Sequence, residues 1–222
     1  MTDEGIIAPV VPEPLSPERL LQLDLVACAL RLAPGALMHH VYKAGYAPTS
    51  FNPGKGLGRF HPFEDASGRV VPVYYAANSI EGAFCETLFR GQEAGTGIKR
   101  VTTTLIDRYA HAEMTVTRAL VLADLSGSVL SRMGILRQNL LDTGPAHYRS
   151  SALWARAIHH AYPDLHGLAW ISRQHDRSEC YLLFGDRVAP DALRQRLATP
   201  LAANGRLKAM EVARTLGVAI IG

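Results

Sequence analysis

One carboxylate, Glu86, stands in a stretch that is otherwise apolar or small: Gly82-Ala83-Phe84-Cys85-Glu86-Thr87-Leu88. An acid so placed is either a solvated helix residue or a carboxylate held in a cleft, where its charge can act on a reacting group. Just upstream lie the turn Gly58-Arg59-Phe60-His61-Pro62 and the apolar run Pro72-Val73-Tyr74-Tyr75-Ala76-Ala77. The glycines of Asn52-Pro53-Gly54-Lys55-Gly56-Leu57-Gly58 suggest a phosphate loop. However, Lys55 precedes Gly56 and Gly58, and Arg-Phe-His-Pro follows where a helix is required. No G-x-G-x-x-G, G-x-S-x-G, H-E-x-x-H or H-x-E…P-C-x-x-C pattern occurs.

Other chemistry-bearing residues have plainer readings. His159-His160 adjoin a helix end, where partly charged side chains suit the carbonyl terminus, and no ligand spacing supports a metal. Gly144 to Arg149 opens a helix, and that turn is either solvated or a phosphate contact. Trp154 and Trp170 read as core, and Arg173 to Arg177 as a hairpin loop on the rim of a site. Cys28, Cys85 and Cys180 are odd in number and far apart, so they read as small core residues in a reducing compartment.

The elements that must position these residues can be sketched from pattern. Residues 1–15 read as an extended arm with Pro9, Pro12 and Pro14. A helix starts at Ser16-Pro17 and carries an apolar stripe of Leu20, Leu21, Leu25 and Leu32 up to Pro34-Gly35. Strands are expected at Ala36–Tyr42, Val70–Ala77, Arg100–Ile106, Arg118–Leu125, Gly167–Ile171 and Cys180–Phe184. Asn78, with Glu81 three residues on, is expected to cap the helix that bears Glu86. Further helices are expected at Ser150–Tyr162, Ala189–Leu197 and Arg206–Leu216, before an apolar tail. Strands and helices mix without βαβ alternation, which predicts a single α+β domain. The expected division is residues 1–35 as arm and first helix and 36–222 as the main domain.

Composition agrees with a packed domain. Of 222 residues, 48% are hydrophobic and 19% charged, which excludes a disordered chain. The formal charge of +3 suits an anionic ligand, and no basic run or basic–aromatic helix marks a nucleic-acid binder. No apolar run is long enough to span a bilayer, and the acidic, proline-bearing N-terminus is unlike a signal peptide. The expectation is a soluble, cytoplasmic protein with no membrane and no direct nucleic-acid partner.

From Leu37 through Phe184 the chain resembles the RES-domain proteins, the toxin half of bacterial RES/Xre toxin–antitoxin pairs. The pieces that carry the resemblance are Gly58-Arg59-Phe60, Tyr75-Ala76-Ala77, Glu81-Gly82-Ala83, Glu86 and Gly167-Leu168-Ala169-Trp170-Ile171-Ser172, in that order. The family's first-strand arginine has no counterpart in register between Leu37 and Tyr42, and His40 stands in its place. The resemblance implies an ADP-ribosyltransferase-like fold and NAD⁺ as substrate, with no metal. Glu86 is then expected to stabilise the cationic transition state and Tyr75 to meet the nicotinamide–ribose end. Arg59 is expected to grip the pyrophosphate, and His40, Tyr42 and Ser172 to contact ribose or phosphate. His39 and His40 must point to opposite faces of their strand.

The resemblance implies an NAD⁺-consuming enzyme whose acceptor is water, phosphate or a protein side chain. It also implies a cognate antitoxin bearing a helix-turn-helix DNA-binding region. The alternative is a non-catalytic nucleotide- or partner-binding module of the same fold.

Overall fold

The computed structural model describes residues 10–90 and 98–222. Residues 1–9 of the expected arm lie outside them. In chain order the elements are α1 (Pro17–Leu21), β1 (Leu30–Leu32), β2 (Leu37–Lys43), β3 (Val73–Ala77), α2 (Ile80–Thr87), β4 (Arg100–Thr102) and α3 (Thr103–Ile106). There follow β5 (Tyr109–Val116), β6 (Leu120–Asp124), α4 (Gly127–Arg132), α5 (Arg137–Leu140), a 3₁₀ turn (Pro145–His147) and α6 (Tyr148–Ala161). The last are β7 (Gly167–Ile171), β8 (Glu179–Phe184), β9 (Leu193–Pro200), α7 (Arg206–Thr215) and β10 (Ala219–Ile221). This is the single α+β domain that the pattern predicts.

Eight strands form one mixed sheet in the order β1-β6-β7-β8-β3-β2-β5-β9, and β10 pairs with β4 apart from it. Only β6 and β7 run parallel within the large sheet, joined by the crossover through α4, α5 and α6. The sheet has an apolar core on each face. One joins Val73, Ala77, Leu168, Trp170 and Leu182 to Phe84 of α2, Trp154 and Ile158 of α6, and Val212 of α7. The other is made mostly of strand residues drawn from both ends of the sheet, among them Leu32, Met38, Met114, Leu122 and Leu183, so the sheet curls onto itself. Alternation along each strand feeds the two cores: Tyr74 and Ala76 enter one, Val73 and Ala77 the other.

The centre of the sheet carries a break. β2 and β3 share one register pair, His39↔Ala77, whereas β2 and β5 share seven. Beyond that pair the two strands diverge, and the fork between them is where the cavity described below lies.

Several local expectations need correction. The first helix is only five residues long. Ser16 caps it as expected, but Leu21 is exposed and the stripe does not continue, because Leu30–Leu32 pairs with β6 instead. The cap of α2 is Ser79, not Asn78: Ser79 Oγ accepts the Gly82 N–H at 3.0 Å, while Asn78 Oδ1 accepts the Glu179 N–H. Arg100–Ile106 splits into a short strand and a helix capped by Thr102. The segment expected as a helix at Ala189–Leu197 instead supplies β9, whose pairing with β5 overrides its helix-forming Leu, Arg and Gln residues. β5 itself alternates buried and half-buried residues and has no counterpart among the expected strands.

Candidate functional site

Local sequence explains how the site is assembled. Gly58 and His61 exchange both backbone hydrogen bonds at 3.1 Å, closing a tight turn with Arg59 and Phe60 at its tip. Phe60 takes a φ of 69° there, and its ring packs against Trp170 at 5.4 Å. The left-handed backbone costs about 1–2 kcal/mol in a non-glycine residue, which burial of Phe60 offsets. A side chain on Gly58 would meet His61 at 2.3 Å and Arg90 Nη1 at 2.6 Å, so only glycine lets those two groups close over the turn.

The turn sends Arg59 inward. Arg59 is 2% exposed and pairs with Glu86, Nη1 to Oε2 at 3.4 Å, while its Nη2 donates to the Thr143 carbonyl at 3.1 Å. On the other side of the carboxylate, Ser172 Oγ donates to Glu86 Oε1 at 3.1 Å from the end of β7. Glu86 is thus gripped from two sides by residues 27 and 86 positions away. It is the cleft reading of this residue, not the solvated-helix one, that the structure supports: Glu86 is 4% exposed.

A cavity of about 300 Å³ opens onto this carboxylate. Its wall includes His40, Tyr42, His61, Tyr75, Glu86 and Arg90. Arg59 and Ser172 lie behind Glu86 and do not reach the wall. Arg59, expected to grip a pyrophosphate, commits its Nη1 to Glu86 and its Nη2 to the Thr143 carbonyl, while its Nε has no partner among the described residues.

The aromatic side of the cavity is neutral and internally tied. His40 Nδ1 lies 2.6 Å from the Tyr75 carbonyl, bridging the fork between β2 and β3. A carbonyl only accepts, so Nδ1 carries the proton and Nε2, which has no partner among the described residues, is an acceptor. Burial pushes the His40 pKa down to about 4, so the ring is uncharged at neutral pH. His40 is sandwiched between Tyr74 at 4.0 Å and Tyr42 at 5.1 Å. It therefore cannot serve as the cation that the resemblance assigns to this strand position.

Tyr75 donates its hydroxyl to the Arg59 carbonyl and sits 2.9 Å from His61 Nδ1. With that hydroxyl proton committed, His61 Nδ1–H donates to the tyrosine oxygen, and His61 Nε2 accepts from Asn52 Nδ2 at 3.4 Å. Burial, then the Arg90 charge, lowers the His61 pKa to about 4. Burial raises the Tyr75 phenol well above its usual range, so Tyr75 offers a ring face and no base.

The other histidine of the pair behaves as alternation requires. His39 turns to the opposite face and meets His111 Nε2 at 3.0 Å. His159 binds Asp186 at 2.9 Å, packed edge-on to Phe63 and Phe184, while His160 turns to the Glu64 carbonyl. Trp154 and Trp170 are core.

Two cavity residues escaped the sequence reading. Arg90 lies over the rings of Tyr75 (5.5 Å) and Tyr148 (5.3 Å) and donates to the Leu57 carbonyl at 3.2 Å. It lies just past the end of α2, so no helical spacing from Glu86 marked it and only the path of the chain after Thr87 brings it to the cavity. His61 was hidden inside the Arg-Phe-His-Pro run, where only the fold reveals its bond to Tyr75.

Comparison with known proteins bears on this arrangement. A chain of the solved M. tuberculosis MbcT–MbcA toxin–antitoxin complex shares the fold, with a TM-score of 0.60 at 17% identity over 86% of this chain and 98% of that one. No curated protein matches the sequence. The RES domain family model matches residues 34–205, which span the turn bearing Arg59, the helix bearing Glu86 and the strand ending at Ser172. The chain belongs to the RES-domain family.

Proposed function

We propose that the protein is the toxin of a toxin–antitoxin pair and that it consumes NAD⁺ by breaking the nicotinamide–ribose bond. The observation that carries this reading is the Glu86 carboxylate, buried, held by Arg59 and Ser172, and facing a cavity lined on one side by aromatic rings.

In that reaction the C1′–N bond breaks and its electron pair leaves with nicotinamide, which departs neutral. No proton has to be delivered to the leaving group. Positive charge grows on the ribose, and a fixed carboxylate stabilises it more than it stabilises the ground state. An oxygen nucleophile then bonds to C1′ and releases its proton to Glu86 or to solvent. The acceptor is water, phosphate or a side chain of a protein target. Tyr75 and Tyr42 present ring faces to the nicotinamide–ribose end, and His40 orders that side of the cavity through its bond to the Tyr75 carbonyl. Arg59 and Ser172 act through Glu86 as positioning residues.

The partner side of the proposal follows the family and the toxin–antitoxin neighbour: a cognate antitoxin, with a helix-turn-helix DNA-binding region, encoded by an adjacent gene. The deciding experiment is product analysis by HPLC or phosphorus NMR after incubation with NAD⁺, with and without phosphate and with cell lysate. Nicotinamide release that is lost in Glu86→Gln is the expected result. NAD⁺ left intact under every condition overturns the reading.

A further inference from the structure

A cavity of about 300 Å³ is at the lower end for small-molecule sites, roughly 300–1,000 Å³. It has room for one nucleotide half of a dinucleotide. If the reacting ribose lies at Glu86, the other half must leave through the mouth, so what stands at the mouth bears on recognition.

Tyr46, Lys55, Leu57 and Arg90 stand there. Tyr46 and Leu57 are about half exposed, at 50% and 49%. Lys55 Nζ lies 3.4 Å from the Tyr46 hydroxyl and 5.8 Å from the centre of its ring. The loop that presents Lys55 is fixed by one side chain. Asn52 Oδ1 accepts the N–H groups of Gly54 (3.1 Å) and Lys55 (2.7 Å), and Asn52 Nδ2 donates to the Lys55 carbonyl at 2.9 Å. Among the described residues neither Lys55 nor Arg90 takes part in an ion pair. An exposed aromatic face, an exposed leucine and two such cations thus border the exit of a pocket whose floor is a carboxylate. A merely solvated loop explains the lysine, but not an anchored backbone that holds it beside an exposed ring at the mouth.

We infer that Tyr46 and Lys55 form a second subsite, which takes the half of the dinucleotide that does not react. The base lies on Tyr46 and Leu57, and the phosphates sit between Lys55 and Arg90. This inference rests on the NAD⁺ reading above, and it moves anion recognition from the buried Arg59 to the mouth.

The test is steady-state NAD⁺ consumption by the full chain and by Tyr46→Ala and Lys55→Glu, with ADP-ribose as a competing ligand. Base stacking and phosphate contacts of this kind each change binding by about tenfold or more. Both variants are therefore expected to raise KM by about that factor, to weaken ADP-ribose inhibition in parallel, and to hold kcat within about twofold, as loss of binding shared by ground and transition states requires. Both positions are exposed, and thermal melting of each variant reports that folding is intact. If the wild type consumes NAD⁺ and either variant leaves KM unchanged, the subsite is overturned while the activity stands. A fall in kcat with KM unmoved also overturns it, by placing the residues at the reacting end. A wild type that leaves NAD⁺ intact overturns both readings.

Discussion

Arg59 and Glu86 form an ion pair at 3.4 Å with both side chains almost wholly removed from water. Such a pair contributes little net stability when whole, but breaking it from one side leaves a buried charge without a partner, at a cost of about 3–5 kcal/mol. Arg59→Met is therefore expected to lower the unfolding free energy by about that amount, and Arg59→Met combined with Glu86→Gln to recover most of the loss. Urea denaturation of Arg59→Met, Glu86→Gln and the double variant checks this. Additive losses in the double variant count against a coupled pair.

Glu86→Gln alone separates charge from shape. It keeps the shape of the side chain, removes the anion and turns one of its two acceptors into a donor, so NAD⁺ turnover is expected to fall by about 10²–10³-fold or more. The fold, followed by circular dichroism, is expected to persist at a reduced unfolding free energy, because Arg59 loses its charged partner. Turnover within a few-fold of wild type would remove Glu86 from the reaction.

Ser172 holds the second oxygen of the same carboxylate at 3.1 Å. A hydrogen bond to a charged group is worth about 1.5–3 kcal/mol. Ser172→Ala is expected to cut kcat by about tenfold while moving KM little, because the serine positions Glu86 and does not reach the cavity. A large rise in KM instead would mean that Ser172 meets the ligand.

Acid should destabilise the protein through its buried histidines. His40, His61 and His111 each have a folded-state pKa near 4, below the usual 6.5, chiefly through burial. The unfolded chain then binds more protons between those values, so stability is full above about pH 6.5 and is lost as pH falls toward 4. Each group contributes a slope of at most about 1.4 kcal/mol per pH unit in that window. His40→Phe retains a ring between Tyr42 and Tyr74 and removes one titration, so urea midpoints measured against pH should show a shallower slope. An unchanged slope would mean that His40 is not buried as a neutral ring.

Helix α2 approaches the sheet so closely that Gly82 has no room for a methyl group. An added Cβ would lie 2.6 Å from Ser178 Cβ and 2.9 Å from Ala77 Cβ. Gly82→Ala is expected to destabilise by about 1–3 kcal/mol and to lower activity by displacing Glu86, which lies one turn further along α2. Retained activity at full stability would show that α2 can move without consequence.

The parts of this structure that were legible in the sequence are those fixed by local chemistry. Val73–Ala77 and Gly167–Ile171 read as strands because β-branched, aromatic and small apolar residues crowd them, and α6 read as a helix from its repeating apolar face. β9 did not, because its strand conformation comes from pairing with β5 and not from its own residues. The site was legible as a set of residue types, with Glu86 among them. Its wiring was not: whether Arg59 faces ligand or carboxylate depends on the turn at Gly58–His61, and the tautomer of His40 depends on a carbonyl 35 residues away. Asn78 against Ser79 as cap is a one-residue difference that only the path of the chain from β3 decides.

The single register pair between β2 and β3 makes the eight-stranded sheet two sheets mechanically, one of five strands and one of three, sewn by His39↔Ala77 and by the His40 bridge to Tyr75. Ladder hydrogen bonds that elsewhere resist shear are missing along this seam. A ligand lodged in the fork touches both halves and takes the place of those bonds. Occupancy should therefore register throughout the molecule, raising the melting temperature with ligand concentration and slowing amide exchange on both sides of the seam together.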